Sequence, residues 1–235
     1  MTELPRLDDV PLPRRGLLSR GRPAVTRFIR SRWDLHLHGA EHVPSTGPIV
    51  FAPNHAGWLD GPLLAIVSPR PVHALTKLEM FDGPLGRFLL ASGQIPLDRF
   101  NVDPRAVKTC LKVLEQGGAV GIFPEGTRGD GELATVQRGA AYFSMVTGAP
   151  VVPVTFFGTR EPGGRSGSVP GKGARFDVVY GDPVYLEQQP WPRTRDDVLR
   201  ATTLLAGRLR EHLAQAKELT GRSLPGPLPD PEEEA

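Results

Sequence analysis

The chain of 235 residues has a single cysteine, Cys110. One cysteine excludes an internal disulfide framework and a thiolate metal cluster built from this chain alone, which fits a reducing compartment and leaves core packing as its role. Long apolar runs are missing as well: no stretch approaches the ~18 uninterrupted apolar residues of a membrane span. The opening MTELPRLDDVPLPRRG holds no signal-peptide apolar region, so the expectation is a soluble or surface-bound protein. Neither a G-x4-G-K-[ST] loop for nucleotide phosphates nor a G-x-S-x-G nucleophile elbow occurs, and no internal repeat is visible. His36 and His38 alternate on one strand face without an Asp, Glu or Cys in ligand spacing, which makes them surface residues rather than metal ligands.

What is present is ordinary globular composition, 39% hydrophobic and 23% charged, enough for one full core. The net charge of +2 hides a polarity. Residues 1–32 carry eight arginines against Glu3, Asp8 and Asp9, while the last six residues carry Asp230, Glu232, Glu233 and Glu234. A basic end of this kind can lean on an anionic surface. Residues 1–16 and 221–235 are rich in Pro and charge and read as flexible tails. Within 17–33, Val25, Phe28, Ile29 and Trp33 recur near helical spacing among Arg22, Arg27 and Arg30. Periodicity leaves two readings open: a helix resting on lipid head groups, or a helix covering the domain's own core.

From residue 49 onward, short apolar runs alternate with helical patterns. Strands are expected at 49–53, 72–76, 94–97, 119–123, 151–157 and 175–180. Helices are expected at 61–67 with Asp60 as N-cap, 84–92, 103–118 with Asp103 as cap and Pro104 in the first turn, 137–147 and 194–219. The alternation argues for an α/β fold: a single domain over 34–220 with a mixed, largely parallel sheet flanked by helices on both faces.

In such sheets ligand sites gather at the carboxyl ends of strands. Three polar clusters stand there: NHAGWLD (54–60), LDR (97–99) and PEGTRG (124–129). On one straight helix His55 and Asp60, five positions apart, would diverge by roughly 140°. If they cooperate, the chain turns between them; the carboxylate then fixes the imidazole tautomer and leaves the other nitrogen to take a proton from a hydroxyl. The alternative is a helix-capping Asp60 and a satisfied turn histidine. Arg99 and Arg128 are either forks for a phosphate or carboxylate or surface ion-pair residues. Glu125, itself an anion, suits orienting an arginine or accepting a hydrogen bond from a substrate hydroxyl. Gly126, Thr127 and Gly129 allow a tight turn whose N–H groups face a ligand.

NHAGWLD, GQIPLDR (93–99), FPEGTR (123–128) and APVVPVTF (149–156), in this order, resemble the four blocks of the glycerolphosphate acyltransferase family, the one containing 1-acylglycerol-3-phosphate acyltransferases. The resemblance spans about residues 34–215. Asn54, His55 and Asp60 meet the first block, Arg99 the arginine of the second, Glu125, Gly126, Thr127 and Arg128 the third, and Pro153 the centre of the fourth. Two positions depart: Gly57 stands where the family commonly has Ser, and Arg138 where a lysine is common.

The resemblance implies transfer of an acyl group from acyl-CoA or acyl-carrier protein (ACP) to a hydroxyl of a lysophosphatidate-like glycerolphospholipid. His55 would be the base and Asp60 its orienting carboxylate. Arg99 and Arg128 would hold the phosphate with Glu125 and Thr127 beside them. It implies no cofactor and no metal, and a cytoplasmic enzyme peripheral on the inner face of the membrane. The rivals are another lysolipid or glycolipid acceptor, a lipid or thioester hydrolase, and a non-catalytic membrane or acyl-carrier-protein binding module. Nucleic acid is excluded as a partner, since the basic N-terminal run lacks interleaved stacking aromatics and a recognition motif.

Overall fold

The apolar run Ile49–Pro53 is buried along its whole length, as is Val151–Phe157. Strands covered on both faces belong in the middle of a sheet. They are β2 and β6 of a seven-stranded sheet in a computed structural model that describes residues 6–14, 16–189 and 192–229. The other strands are β1 (Asp34–His38), β3 (Val72–Lys77), β4 (Ile95–Leu97), β5 (Ala119–Gly121) and β7 (Arg175–Tyr180), and the order across the sheet is β1-β7-β6-β2-β5-β3-β4. All neighbours are parallel except β6 and β7. The sheet is therefore mixed and largely parallel, as expected.

Alternation along the strands divides the core between two faces. Val50 and Ala52 of β2 point to one cluster with Val120, Val151 and Phe157. That cluster is closed by α4 (Pro104–Glu115), α5 (Gly139–Thr147) and α6 (Arg195–Thr220) through residues such as Leu111, Phe143 and Leu209. Ile49 and Phe51 point to the opposite cluster with Val154, Phe156 and Phe176, closed by α2 (Asp60–Val67) and α1 (Gly16–Arg32). A further helix, α3 (Gly83–Ala91), leads from β3 to β4. Cys110 is buried in α4, as core packing requires.

Helix ends follow local chemistry. Asp103 accepts the Ala106 N–H at 2.9 Å, Pro104 occupies the first turn, and Gly117 leaves α4 with φ +69°. Such a cap contributes about 1 kcal/mol. Thr194 and Asp197 cap each other's backbone at the start of α6.

Of the two readings left open for 17–33, covering the domain's own core holds for part of the helix: Ile29 is buried, Trp33 stacks on Phe176 with centroids 5.2 Å apart, and Arg22 donates to the carbonyls of Ile66 and Ser68, while Val25 and Phe28 are exposed. Three expectations are corrected. Both histidines have a carboxylate partner: His36 Nε2 lies 2.9 Å from Asp34, two positions before it on the same strand, and His38 Nε2 lies 3.0 Å from Asp177, brought by β7. The presumed tails are packed where described: Leu7 is buried against the α4–α6 face, and the carbonyls of Gly226 and Pro227 accept hydrogen bonds from Arg160. Residues 1–5, 15 and 230–235 lie outside the described residues. Finally, Asp60 is not an N-cap; α2 has no side-chain cap, because that carboxylate is turned back toward the preceding loop.

Candidate active site

The carboxyl ends of β2 and β5 lie side by side at the middle of the sheet. After β2 the chain proceeds to β3 on one side, and after β5 it crosses to β6 on the other, so a crevice opens there. Asn54–Asp60 leaves β2 into it, Pro124–Gly129 leaves β5, and Asp98–Arg99 follows β4 at the same edge.

His55 and Asp60 meet across a turn. His55 Nδ1 lies 2.9 Å from Asp60 Oδ2, and the same oxygen accepts the N–H groups of Ala56 and Gly57 at 2.8 Å each. A carboxylate only accepts, so Nδ1 carries a proton, and in the neutral imidazole Nε2 keeps its lone pair. No described protein group takes Nε2. The imidazole packs on Phe123 with centroids 4.1 Å apart, which sets the ring plane.

The two loops are laced together. Glu125 accepts the His55 N–H at 2.6 Å and the Leu133 N–H at 3.1 Å, and the Gly129 N–H donates to the His55 carbonyl at 2.9 Å. Glu125 thus orients backbone; of the two roles expected for it, orienting an arginine is not seen, since it bonds no arginine among the described residues. Burial pushes its carboxyl up to about 7, with the Asp130 and Asp60 charges adding to the rise and the two backbone donors opposing it. Asn54 acts as an extra rung of sheet: its Oδ1 accepts the Phe156 N–H at 2.8 Å and its Nδ2 donates to the Phe156 carbonyl at 3.3 Å.

Pro153 sits opposite Ala52 in β6, away from the crevice. It accepts from the Gly181 N–H at 3.0 Å but has no N–H to return. Beyond it the β7 side slips by one residue, so that Val184 rather than Pro183 pairs with Val151.

Arg99 is exposed and donates to the Gly126 carbonyl at 3.2 Å, which joins the second block to the third. Arg128 donates to the Ser166 carbonyl at 2.9 Å. Gly126 has φ +72°, which only glycine adopts readily, and Thr127 beside it is exposed. Among the backbone donors, those of Ala56 and Gly57 are spent on Asp60, and those of Gly126 and Gly129 on carbonyls. Four donors thereby leave the pool for an oxyanion.

Several residues at this edge carried no sequence signal strong enough to single out. Lys77 ends β3 in register with Leu97, two positions from Arg99; a cation closing a strand was the available cue. Leu133 has φ +56° and is held by Glu125 on one side and by Arg210 of α6 on the other, the latter at 2.9 Å.

Residues 34–157, from β1 through β6, match the family model described as Acyltransferase. The chain belongs to the acyltransferase family. Among its relatives, the 1-acyl-sn-glycerol-3-phosphate acyltransferase of Bacillus subtilis (strain 168) is 30% identical over 190 residues, which cover 80% of this chain and 92% of that one. The chloroplastic 1-acyl-sn-glycerol-3-phosphate acyltransferase BAT2 of Brassica napus is 34% identical over 158 residues, 63% of this acyltransferase but 44% of the plant protein. In fold, this acyltransferase is similar to the crystal structure of the 1-acyl-sn-glycerophosphate (LPA) acyltransferase from Thermotoga maritima, with TM-score 0.57 and 23% identity over 84% of this chain and 78% of that one. The paired His55 and Asp60 lie inside the matched segment.

Proposed function

We propose that this acyltransferase moves a fatty acyl group from acyl-CoA or acyl-ACP to the free hydroxyl of lysophosphatidate, in phospholipid biosynthesis. The observation that carries the reading is the His55–Asp60 pair, with Nδ1 2.9 Å from the Asp60 carboxylate and Nε2 taken by no described protein group. Relatives bearing the 1-acyl-sn-glycerol-3-phosphate acyltransferase name support the acceptor.

His55 Nε2 takes the acceptor's hydroxyl proton as the oxygen attacks the thioester carbonyl. The tetrahedral adduct then collapses, the C–S bond breaks, and the departing sulfur takes the proton back from the imidazolium. The products are the new ester and the free thiol of the donor. Asp60 holds the tautomer and offsets the transient positive charge. Arg99 and Arg128 hold the acceptor phosphate at the Glu125–Arg128 turn, with Thr127 beside them; Glu125 and Gly126 shape that turn, and Asn54 anchors the start of the His55–Asp60 turn to β6. The two substrates supply all the atoms of the reaction, and it calls on no metal or cofactor.

A lipid acceptor places the work at a membrane surface, on its inner face. Among the described residues no helix is long and apolar enough to cross a membrane. Exposed apolar side chains at the crevice edge, Phe100 at 81% and Val102 at 92%, fit a peripheral attachment.

The test is His55→Ala, assayed with acyl-CoA or acyl-ACP and lysophosphatidate, with product identified by mass spectrometry. Phosphatidate formation should fall about 10²- to 10⁴-fold. Undiminished turnover by folded His55→Ala overturns the assignment, and free fatty acid in place of phosphatidate from the unaltered protein marks a hydrolase.

A further inference from the structure

Arg160 follows β6 and is 2% exposed. A guanidinium has five N–H donors, and here all five are met by backbone carbonyls. Nε donates to Ala56 at 2.8 Å, one terminal nitrogen to Gly164 at 2.9 Å and Pro227 at 3.4 Å, and the other to Gly129 at 3.0 Å and Gly226 at 2.5 Å. Among the described residues no carboxylate touches it; Asp60 and Asp130 act on it only through space. A cation taken out of water loses several kcal/mol of solvation. A site needing only to be filled would be filled more favourably by an apolar side chain.

The identity of the acceptors is what matters. Ala56 lies within the His55–Asp60 turn, with its N–H on Asp60 and its carbonyl on Arg160. Gly129 directly follows the third block, with its N–H on the His55 carbonyl and its own carbonyl on Arg160. One planar side chain therefore ties both loops of the crevice to a third segment, residues 226–227. Gly57 belongs to the same arrangement. A Cβ at position 57 would stand 2.7 Å from the Thr159 carbonyl oxygen, so the backbone leading into Arg160 occupies the space a serine would need.

We propose that Arg160 is a positioning residue for His55, and that residues 222–227 form a strap whose carbonyls complete its shell. Glycine at 57 is the accommodation that lets the 159–160 backbone seat against the turn. This rests on the acyl-transfer reading above.

The test compares Arg160→Ala and Arg160→Lys in the full chain, each assayed with acyl-CoA and lysophosphatidate and each followed by amide hydrogen exchange. Arg160 touches neither substrate, so KM should stay within about threefold while kcat falls about 10²-fold for Arg160→Ala, the scale of an ångström-sized misplacement. Arg160→Lys should lose about tenfold on the same scale. Exchange should quicken at Ala56, Gly57, Gly129 and Gly226 while the amides of β2 keep their protection. Leu209→Ala serves as the control for plain destabilisation, with a lowered melting temperature and unchanged kcat. Folded Arg160→Ala with kcat within about twofold of the unaltered protein, or with exchange raised uniformly as in Leu209→Ala, overturns the proposal. If Arg160→Ala does not fold, Arg160→Lys decides by the same two readouts. The exchange pattern is read without any substrate, so a different acceptor lipid would sink the activity reading and leave this one standing.

Discussion

The two halves of the crevice are built to different standards. In the His55–Asp60 turn one carboxylate oxygen gathers three donors within 2.9 Å, and both backbone groups of His55 are held by the Glu125–Gly129 loop. The arginines opposite are loosely tied, Arg99 by one 3.2 Å bond at an exposed position and Arg128 by one bond to the Ser166 carbonyl. A group that transfers protons must be in place before the substrate arrives, because reorganising it during reaction raises the barrier. A group that holds a headgroup gains from retaining donors it can still redirect. On the proposed roles, the difference separates proton transfer from headgroup binding.

Three substitutions probe that contrast. The largest effect is expected from Asp60→Asn, which keeps the shape but removes the charge that holds the imidazole: kcat should fall about 10²- to 10⁴-fold in initial-rate assays, with KM little changed. An unchanged kcat would show that the tight half owes nothing to its charge. Next comes Glu125. Its carboxyl is raised from an ordinary 4.5 to about 7 in the folded protein, so the folded state binds the proton more tightly. The stabilisation is complete below about 4.5 and is lost as pH rises through 7, a change on the order of 3 kcal/mol. Melting temperature should therefore decline across that window relative to Glu125→Gln, whose profile lacks this component; parallel profiles would refute the assignment. The smallest effect belongs to the loose half. Arg99→Ala should raise KM for lysophosphatidate about tenfold, the value of one charge-assisted bond, and change kcat by less than about threefold. A loss in kcat instead would mean that Arg99 is part of the rigid machinery.

Legibility in the sequence followed the distance between cooperating residues. The α4 helix was readable because Asp103, Pro104, the apolar stripe and Gly117 all lie within one short span. The need for a turn between His55 and Asp60 was readable from helix geometry alone. Sequence alone does not say which way Asp60 turns, since an aspartate at the start of a helix can serve the turn before it as readily as the helix after it. The α1 stripe could not say what would cover it; Phe176, which stacks on Trp33, arrives from a strand far along the chain. The Pro-rich stretch near the C-terminus looked unable to pack because composition counts apolar area, whereas Gly226 and Pro227 contribute backbone carbonyls.

By itself, then, the sequence determined the α/β alternation, the ends of the strands where polar blocks emerge, and the residue types able to carry proton transfer and phosphate binding. Each of these depends on spacing along the chain, which periodicity and turn chemistry expose directly. The tertiary structure decided which oxygen of Asp60 serves His55, that Glu125 orients backbone rather than an arginine, and that Arg160 joins three segments lying up to 104 positions from it. Those are matters of hydrogen-bond direction between residues remote in sequence, and only the folded sheet brings their donors and acceptors within 3 Å or so of one another.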